Sequence, residues 1–199
     1  MNTAIVFDLG NVLVDFDYSI AARRITARST QPPENLDAFL SSSPALIQFE
    51  TGLITRQAFF EQVRNVAGFL GDIEEFGKMF ADIFTEISPM IALHAKLRRR
   101  GFKTYIFSNT NDLAIEHIRR NFPFFQNFDG YILSYEVQAM KPDAPIYQAL
   151  EQMTGKRGNE IIYIDDRAEN IAGAVESGWR TILHESPEQT RAALKSFGS

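Results

Sequence analysis

Short apolar runs, each ending in polar or turn residues, are the feature that most constrains the fold of this chain. Their length and their β-branched and aromatic content are typical of strands buried on both faces of a sheet. Stretches with helical patterns separate them, and strands that alternate with helices indicate a parallel sheet covered on both sides. We therefore predict an α/β fold with a doubly wound, mostly parallel sheet. The runs lie at residues 3–7, 103–107, 130–133 and 160–164, with a weaker one at 181–183.

Residues 16–87 do not follow this alternation. The stretch has no convincing strand, and turn-rich residues such as 41–44 separate some of its helical segments. We expect an α/β core formed by residues 1–15 and 88–199, with 16–87 as a helical insertion after the first strand. The helical segments of the insertion are predicted at 20–27, 36–40, 56–66 and 73–84.

Composition excludes several classes of function. The net charge is -5, from 20 basic and 25 acidic residues, which argues against a nucleic-acid partner. No run approaches the roughly 20 apolar residues that span a bilayer, and no signal peptide is evident, so we expect no membrane partner. The absence of cysteine rules out thiolate chemistry and is compatible with a cytoplasmic location. Both a monomer and a homodimer remain open.

Polar groups follow the predicted strands, and in open α/β sheets ligands gather outside the carboxyl ends of the strands. We therefore expect one site that combines carboxylates, a hydroxyl, an amide and an ammonium group. These groups are Asp8 after the first run, Ser108 and Asn109 after the second, Lys141 after the third, and Asp165 and Asp166 after the fourth.

Each group has a use if the ligand is a phosphate ester. Asp8 and Asp166 could hold a hard cation such as Mg²⁺, which prefers oxygen ligands. Ser108 and Asn109 could donate hydrogen bonds to phosphate oxygens, and Lys141 could supply positive charge. Asp8 could attack phosphorus in line and form an aspartyl-phosphate that water later hydrolyses.

Four segments, taken in order, resemble the haloacid dehalogenase superfamily, which consists mostly of phosphatases. They are Asp-Leu-Gly-Asn-Val at residues 8–12, Ser108-Asn109, Lys141-Pro142, and Asp165-Asp166 followed by Asn170. The resemblance implies Asp8 as the nucleophile, and Asp8, the Gly10 carbonyl and Asp166 as ligands of Mg²⁺. It implies Ser108, Asn109 and Lys141 as phosphate-binding groups, whereas Asp165 and Asn170 are open between site and supporting roles.

The same resemblance extends to the insertion and to the substrate. The insertion is similar to the helical cap that closes over the site in this family and selects the leaving group. Residues around the four segments look closest in style to a subgroup that contains bacterial α-D-glucose-1-phosphate phosphatase. This implies a small phosphate ester as the substrate, with a sugar phosphate as the leading candidate.

One usual carboxylate is missing. Most phosphatases of the family have an aspartate two residues after the nucleophile, where this chain has Gly10. General acid–base help is typically worth about 10²–10⁴-fold in rate. Gly10 keeps the carbonyl that the family uses for the metal, so the loss concerns proton transfer.

Three interpretations follow from this glycine. The protein is a phosphatase whose leaving group needs little protonation, or one in which Asp15, Asp17 or an insertion residue such as Glu50 supplies the proton. Alternatively, it is a 2-haloacid dehalogenase, because a halide leaves without a proton. Finally, it is a non-catalytic module that binds a phosphorylated ligand. We predict the first, a Mg²⁺-dependent phosphatase that forms an aspartyl-phosphate on Asp8.

Overall fold

The computed structural model describes residues 3–197. In this part of the chain the strands are β1 (Ala4–Phe7), β2 (Val14–Phe16), β3 (Phe84–Glu86), β4 (Lys103–Ser108), β5 (Gly130–Leu133), β6 (Ile161–Asp165) and β7 (Arg180–Leu183). The α-helices are α1 (Tyr18–Thr26), α2 (Leu36–Ser42), α3 (Pro44–Glu50), α4 (Arg56–Ala67), α5 (Ile73–Ala81), α6 (Ser88–Arg99), α7 (Asp112–Asn121), α8 (Ser134–Val137), α9 (Ala144–Thr154), α10 (Ala168–Glu176) and α11 (Pro187–Ser196). None of these helices combines the length and apolar content needed to cross a membrane.

The main sheet has five parallel strands in the order β5-β4-β1-β6-β7. The central strand, β1, is buried at every position, which explains its continuous apolar sequence. The prediction of a doubly wound, mostly parallel sheet is therefore confirmed. The carboxyl ends of all five strands point to one edge, where the predicted site residues follow them.

Helices cover both faces of this sheet. Successive strand residues point to opposite faces, so Ile5 and Phe7 pack in one hydrophobic cluster with α6, α7 and α11. Ala4 and Val6 pack in a second cluster with α9 and α10. The alternation within β1 thus joins the sheet to two separate helical layers.

Residues 16–87 form mostly helices, α1 to α5, around a third hydrophobic cluster. Aromatic rings dominate it: Phe49 stacks on Phe59 with centroids 4.8 Å apart, and Phe76 stacks on Phe80 at 5.5 Å. Aromatic side chains bury much apolar area each, so these helices have a core of their own.

The prediction that this stretch contains no strand is wrong at its two ends. β2 and β3 pair antiparallel, with Phe16 opposite Phe84. Three-residue strands are too short to show alternation, and their pairing joins distant parts of the chain. The turn expected at residues 41–44 also begins a helix, α3. The Ser43 side chain accepts a hydrogen bond from the Leu46 N–H, and Pro44 occupies the first helical turn.

Candidate active site

A buried lysine lies at the centre of the candidate site. The Nζ atom of Lys141 is 3.0 Å from Oδ1 of Asp8 and 2.8 Å from Oδ2 of Asp165. It also donates to the Phe107 carbonyl and the Tyr163 hydroxyl, each at 2.9 Å. The fold therefore brings together Asp8 after β1, Lys141 after β5 and Asp165 at the end of β6. A buried ammonium group that contacts two carboxylates holds them in fixed positions.

Asp165 is fully buried, and the protein occupies both of its oxygens. Its Oδ1 accepts from the Arg167 N–H at 2.8 Å, and Asn170 Nδ2 lies 3.0 Å and 3.1 Å from the two oxygens. The Tyr163 hydroxyl also contacts Oδ2. Burial by itself would raise the pKa of Asp165, but the charge and hydrogen bond of Lys141 lower it below its usual range. Asp165 therefore contacts Lys141 directly, and Asn170 holds the Asp165 carboxylate.

Unlike Asp165, Asp8 and Asp166 each use only one carboxylate oxygen in the hydrogen bonds of residues 3–197. Oδ1 of Asp8 accepts from the Leu9 N–H at 2.7 Å and contacts Lys141, whereas Oδ2 has no hydrogen-bond donor among residues 3–197. Asp166 Oδ2 accepts from Asn11 Nδ2 at 2.9 Å. Burial raises the pKa of Asp8 to about 8; Lys141 opposes this rise and Asp165 adds to it.

Three carboxylates could surround a cation here. Asp8, Asp165 and Asp166 each offer an oxygen within 4.8 Å of the others. Carboxylate and carbonyl oxygens are the ligands that Mg²⁺ prefers. Because Asp165 is already saturated by protein donors, Asp8 and Asp166 are the two with capacity left. The donor set therefore fits a hard divalent cation.

Among residues 3–197, the carbonyl of Gly10 in the turn after β1 has no backbone hydrogen-bond partner. Leu13 and Val14 both donate their N–H groups to the Leu9 carbonyl, and Asn11 donates to Val14. Asn11 has a φ of 54°, in the left-handed region that asparagine tolerates. The Gly10 carbonyl accepts none of these hydrogen bonds and is available to a cation.

An aromatic ring occupies the space beside Gly10. A Cβ atom at position 10 would lie 2.8 Å from Cε1 of Phe16. The Phe16 ring packs edge-on against Tyr18, with centroids 5.8 Å apart, and in a tilted arrangement against Phe84, at 6.1 Å. Any side chain at position 10 would have to displace this ring.

Ser108 and Asn109, predicted as phosphate-binding groups, differ from each other in what their side chains contact. Ser108 is buried, and its hydroxyl is 3.3 Å from the Asn109 carbonyl. The Asn109 amide donates to the Lys141 carbonyl at 2.9 Å, and its Oδ1 accepts from the Lys141 N–H at 2.8 Å. Asn109 thus holds the main chain of Lys141, and its second amide hydrogen has no partner in the described part of the chain.

Ser134 connects this edge of the sheet to the insertion. Its Oγ accepts from the Thr110 N–H at 2.8 Å and lies 3.0 Å from the Thr110 carbonyl. It also lies 2.5 Å from the carbonyl of Glu50, the last residue of α3. The insertion therefore contacts the core directly beside the loop after β4.

The structure does not place two of the sequence candidates in this cluster. Asp15 is exposed on β2, where its Oδ1 accepts from the Phe16 N–H at 2.9 Å. Asp17 caps α1 by accepting from the Ser19 N–H at 2.8 Å. Each serves the local backbone, and neither makes a hydrogen bond or ion pair with the cluster around Lys141.

Two contributors were missed by the sequence reasoning, Asn11 and Tyr163. Asn11 sits in the turn already singled out, but its contact with Asp166 joins residues far apart in the chain. Tyr163 was assigned to the core as part of an apolar strand. Its position two residues before Asp165 puts both side chains on the same face of β6, and that spacing is the signal that could have found it.

Several known proteins are similar to this chain over most of its length. The family model of haloacid dehalogenase-like hydrolases matches residues 3–178. A D-ribitol-5-phosphate phosphatase of Bacteroides thetaiotaomicron is 24% identical over 96% of this chain and 95% of its own length. A phosphatase of Mycobacterium tuberculosis is 26% identical over 95% of this chain and 90% of its own length.

A solved structure is also similar. It is that of an enzyme of the haloacid dehalogenase family from Bacteroides thetaiotaomicron, in complex with magnesium and inorganic phosphate. Its TM-score is 0.80 at 26% identity, and the match covers 90% of this chain and 92% of the other.

Proposed function

This chain belongs to the haloacid dehalogenase-like hydrolase family, and we propose that it is a Mg²⁺-dependent phosphatase of a small phosphate ester. The observation that carries the proposal is the arrangement around Asp8. One of its oxygens is held by Lys141 and Leu9, and the other is free of hydrogen bonds within the described residues. A fixed carboxylate with one free oxygen is suited to nucleophilic attack.

Asp8, the Gly10 carbonyl and Asp166 would hold the cation. When bound, Mg²⁺ supplies positive charge that favours the phosphoryl group and the ionised form of Asp8. Asn11 supports this role because its hydrogen bond fixes the Asp166 carboxylate. The relative crystallised with magnesium and inorganic phosphate supports the choice of metal.

The chain's own residues would carry the bond changes. An oxygen of Asp8 attacks phosphorus, the ester oxygen leaves, and water later hydrolyses the aspartyl-phosphate. Lys141 holds Asp8 in place and adds positive charge beside the phosphoryl group. Ser108 and the remaining amide hydrogen of Asn109 would donate to phosphoryl oxygens.

The substrate class rests on the relatives and on the insertion. A relative that matches nearly the whole chain is named a D-ribitol-5-phosphate phosphatase, which favours a sugar or sugar-alcohol phosphate here. We assign residues 16–87 as a cap that covers the site and selects the organic part of the substrate. Its contact with Ser134 supports this assignment, because it brings the end of α3 to the carboxyl edge of the sheet.

The dehalogenase and binding-module alternatives explain less of the site. Halide displacement needs no cation, so the acidic group formed by Asp8, Asp165 and Asp166 would have no purpose. A module that only binds would not require a carboxylate oxygen held ready beside Lys141. Both alternatives are outcomes of the following test.

The test is phosphate release from 4-nitrophenyl phosphate and a panel of sugar phosphates, with Mg²⁺ and with EDTA. We expect Mg²⁺-dependent turnover that Asp8→Asn lowers by about 10³-fold or more. Asp37→Asn, which removes an exposed carboxylate on α2, should leave the rate unchanged. Turnover that persists in EDTA and in Asp8→Asn would refute the proposal. Chloride release from 2-chloropropionate without phosphatase activity would favour the dehalogenase, and no turnover of any of these substrates would favour the binding module.

A further inference from the structure

The turn after β1 cannot itself supply a proton donor at the usual place. Phe16 fills the space beside Gly10, and Asp15 and Asp17 bind the local backbone. If the proposed phosphatase reaction occurs, another group must protonate the leaving oxygen or the leaving group must tolerate its absence. Glu50, at the end of α3 in the insertion, meets the same edge of the sheet through its backbone carbonyl.

The turn that begins at Glu50 is anchored to the core at three consecutive residues. The Glu50 carbonyl is 2.5 Å from Ser134 Oγ. Thr51 Oγ1 lies 2.8 Å from the sulfur of Met140, which precedes Lys141. Gly52 has a φ of 70° and approaches the core so closely that a Cβ there would lie 2.2 Å from the Tyr135 carbonyl. The backbone at Glu50 is therefore held at a fixed place.

The Glu50 side chain lies among the loops that carry the candidate site. It is half-buried, and Asn111, which lies in the loop after β4, is close enough to lower its pKa. Arg167, next to Asp166, faces it with positive charge, and Tyr18 of α1 faces it from the insertion. Glu50 thus stands between the loop after β4 and the loop after β6.

We propose that Glu50 is the general acid and base of the reaction, taking the part of the aspartate that position 10 lacks. This inference rests on the proposed function. As Asp8 attacks phosphorus, the P–O bond to the alcohol breaks, and the Glu50 O–H gives its proton to the leaving oxygen. Glu50, now a carboxylate, then takes a proton from the water that attacks phosphorus. The bond to Asp8 breaks, inorganic phosphate leaves, and Glu50 is protonated again.

The electrostatics of Glu50 suit a group that both gives and takes a proton. Burial raises the pKa of Glu50 to about 7, although Asn111 and the charge of Arg167 lower it. A pKa near the working pH is where acid–base catalysis is most efficient. Burial raises the pKa of Tyr18 well above its usual value, and Glu50 adds to this rise, so Tyr18 stays neutral.

The test uses aryl phosphates with increasingly basic leaving groups: 4-nitrophenyl, 4-chlorophenyl and phenyl phosphate. We expect Glu50→Gln to lower kcat/KM for phenyl phosphate by about 10²–10⁴-fold and for 4-nitrophenyl phosphate by less than about tenfold. The step in the pH–rate profile near neutrality should disappear in this variant. Glu61→Gln, at an exposed position on α4, is the matched control and should match the unmodified protein throughout.

Two outcomes would overturn the role of Glu50. One is an equal fold-loss for all three esters with an unchanged pH profile, which is what a merely structural residue would give. The other is no loss at all. Far-UV circular dichroism and thermal unfolding of Glu50→Gln check that it folds. Asp8→Asn separates the two proposals: if it is inactive while Glu50→Gln fails the test, only the role of Glu50 is refuted.

Discussion

The contact between Gly10 and Phe16 gives a prediction that can be worked out in detail. A methyl group at position 10 would lie 2.8 Å from Phe16 Cε1, well inside normal contact distance. Overpacking of this kind typically costs about 1–3 kcal/mol. We therefore expect Gly10→Ala to lower the free energy of unfolding by that amount. In a chain of this size, this corresponds to a fall in Tm of roughly 2–4 °C per kcal/mol.

Removing the Phe16 ring should reverse the sign of the stability change that Gly10→Ala causes. In a Phe16→Ala background the space beside position 10 is open, and Gly→Ala then stabilises by about 0.4–1 kcal/mol because it restricts the unfolded chain. The two substitutions should therefore be coupled by roughly 1.5–4 kcal/mol, far above the 0.3–0.5 kcal/mol error of additivity. Urea unfolding of the four proteins in EDTA measures this coupling.

Additive effects within about 0.5 kcal/mol would refute the steric reasoning, because they would mean that the Phe16 ring swings away freely. The same cycle with Gly10→Asn tests a side chain as large as aspartate without adding a charge beside Asp8. A positive result would show that Gly10 and Phe16 have to change together before a carboxylate can occupy position 10.

Two further predictions concern buried ionisable side chains. Burial lowers the pKa of His94 from 6.5 to about 4. The buried neutral imidazole therefore contributes to the free energy of unfolding above pH 6.5. This contribution, roughly 3 kcal/mol, is lost as pH falls toward 4. Urea unfolding should show the stability difference between the unmodified protein and His94→Gln shrinking over that range, and a constant difference would contradict this. Lys141→Met leaves Asp8 and Asp165 without their counter-charge and should cost about 3–5 kcal/mol in EDTA, whereas the exposed Lys96→Met should change stability by less than about 0.5 kcal/mol. A loss below about 1 kcal/mol for Lys141→Met would show that the two carboxylates do not depend on it.

The main sheet could be predicted from the sequence because its strands are buried on both faces and read as continuous apolar runs. The short strands β2 and β3 could not, since three residues carry no period and their pairing depends on the ends of the insertion meeting. Helix α3 was missed because Ser43 and Pro44 end one helix and begin the next within the same few residues.

The order of the polar groups along the chain was enough to predict most of the residues that gather at the carboxyl edge of the sheet. It could not predict what each side chain contacts there. Asn109 binds the main chain of Lys141, and the Phe16 ring covers Gly10; both depend on side-chain direction and on loop paths that periodicity does not determine. The sequence therefore predicts the position of the site better than it predicts the contacts of each side chain within it.

The single hydroxyl hydrogen of Ser134 affects how the contact between the core and the end of α3 can break. Two carbonyls compete for it, that of Glu50 at 2.5 Å and that of Thr110 at 3.0 Å, and a hydroxyl donates to one acceptor at a time. If the end of α3 lifts away, rotation about the Cβ–Oγ bond transfers the hydrogen bond to Thr110, while water takes over the Glu50 carbonyl. The core then avoids the cost of about 1–3 kcal/mol for a stranded buried group. A serine at this place therefore lets the contact between α3 and the core break and re-form at little cost.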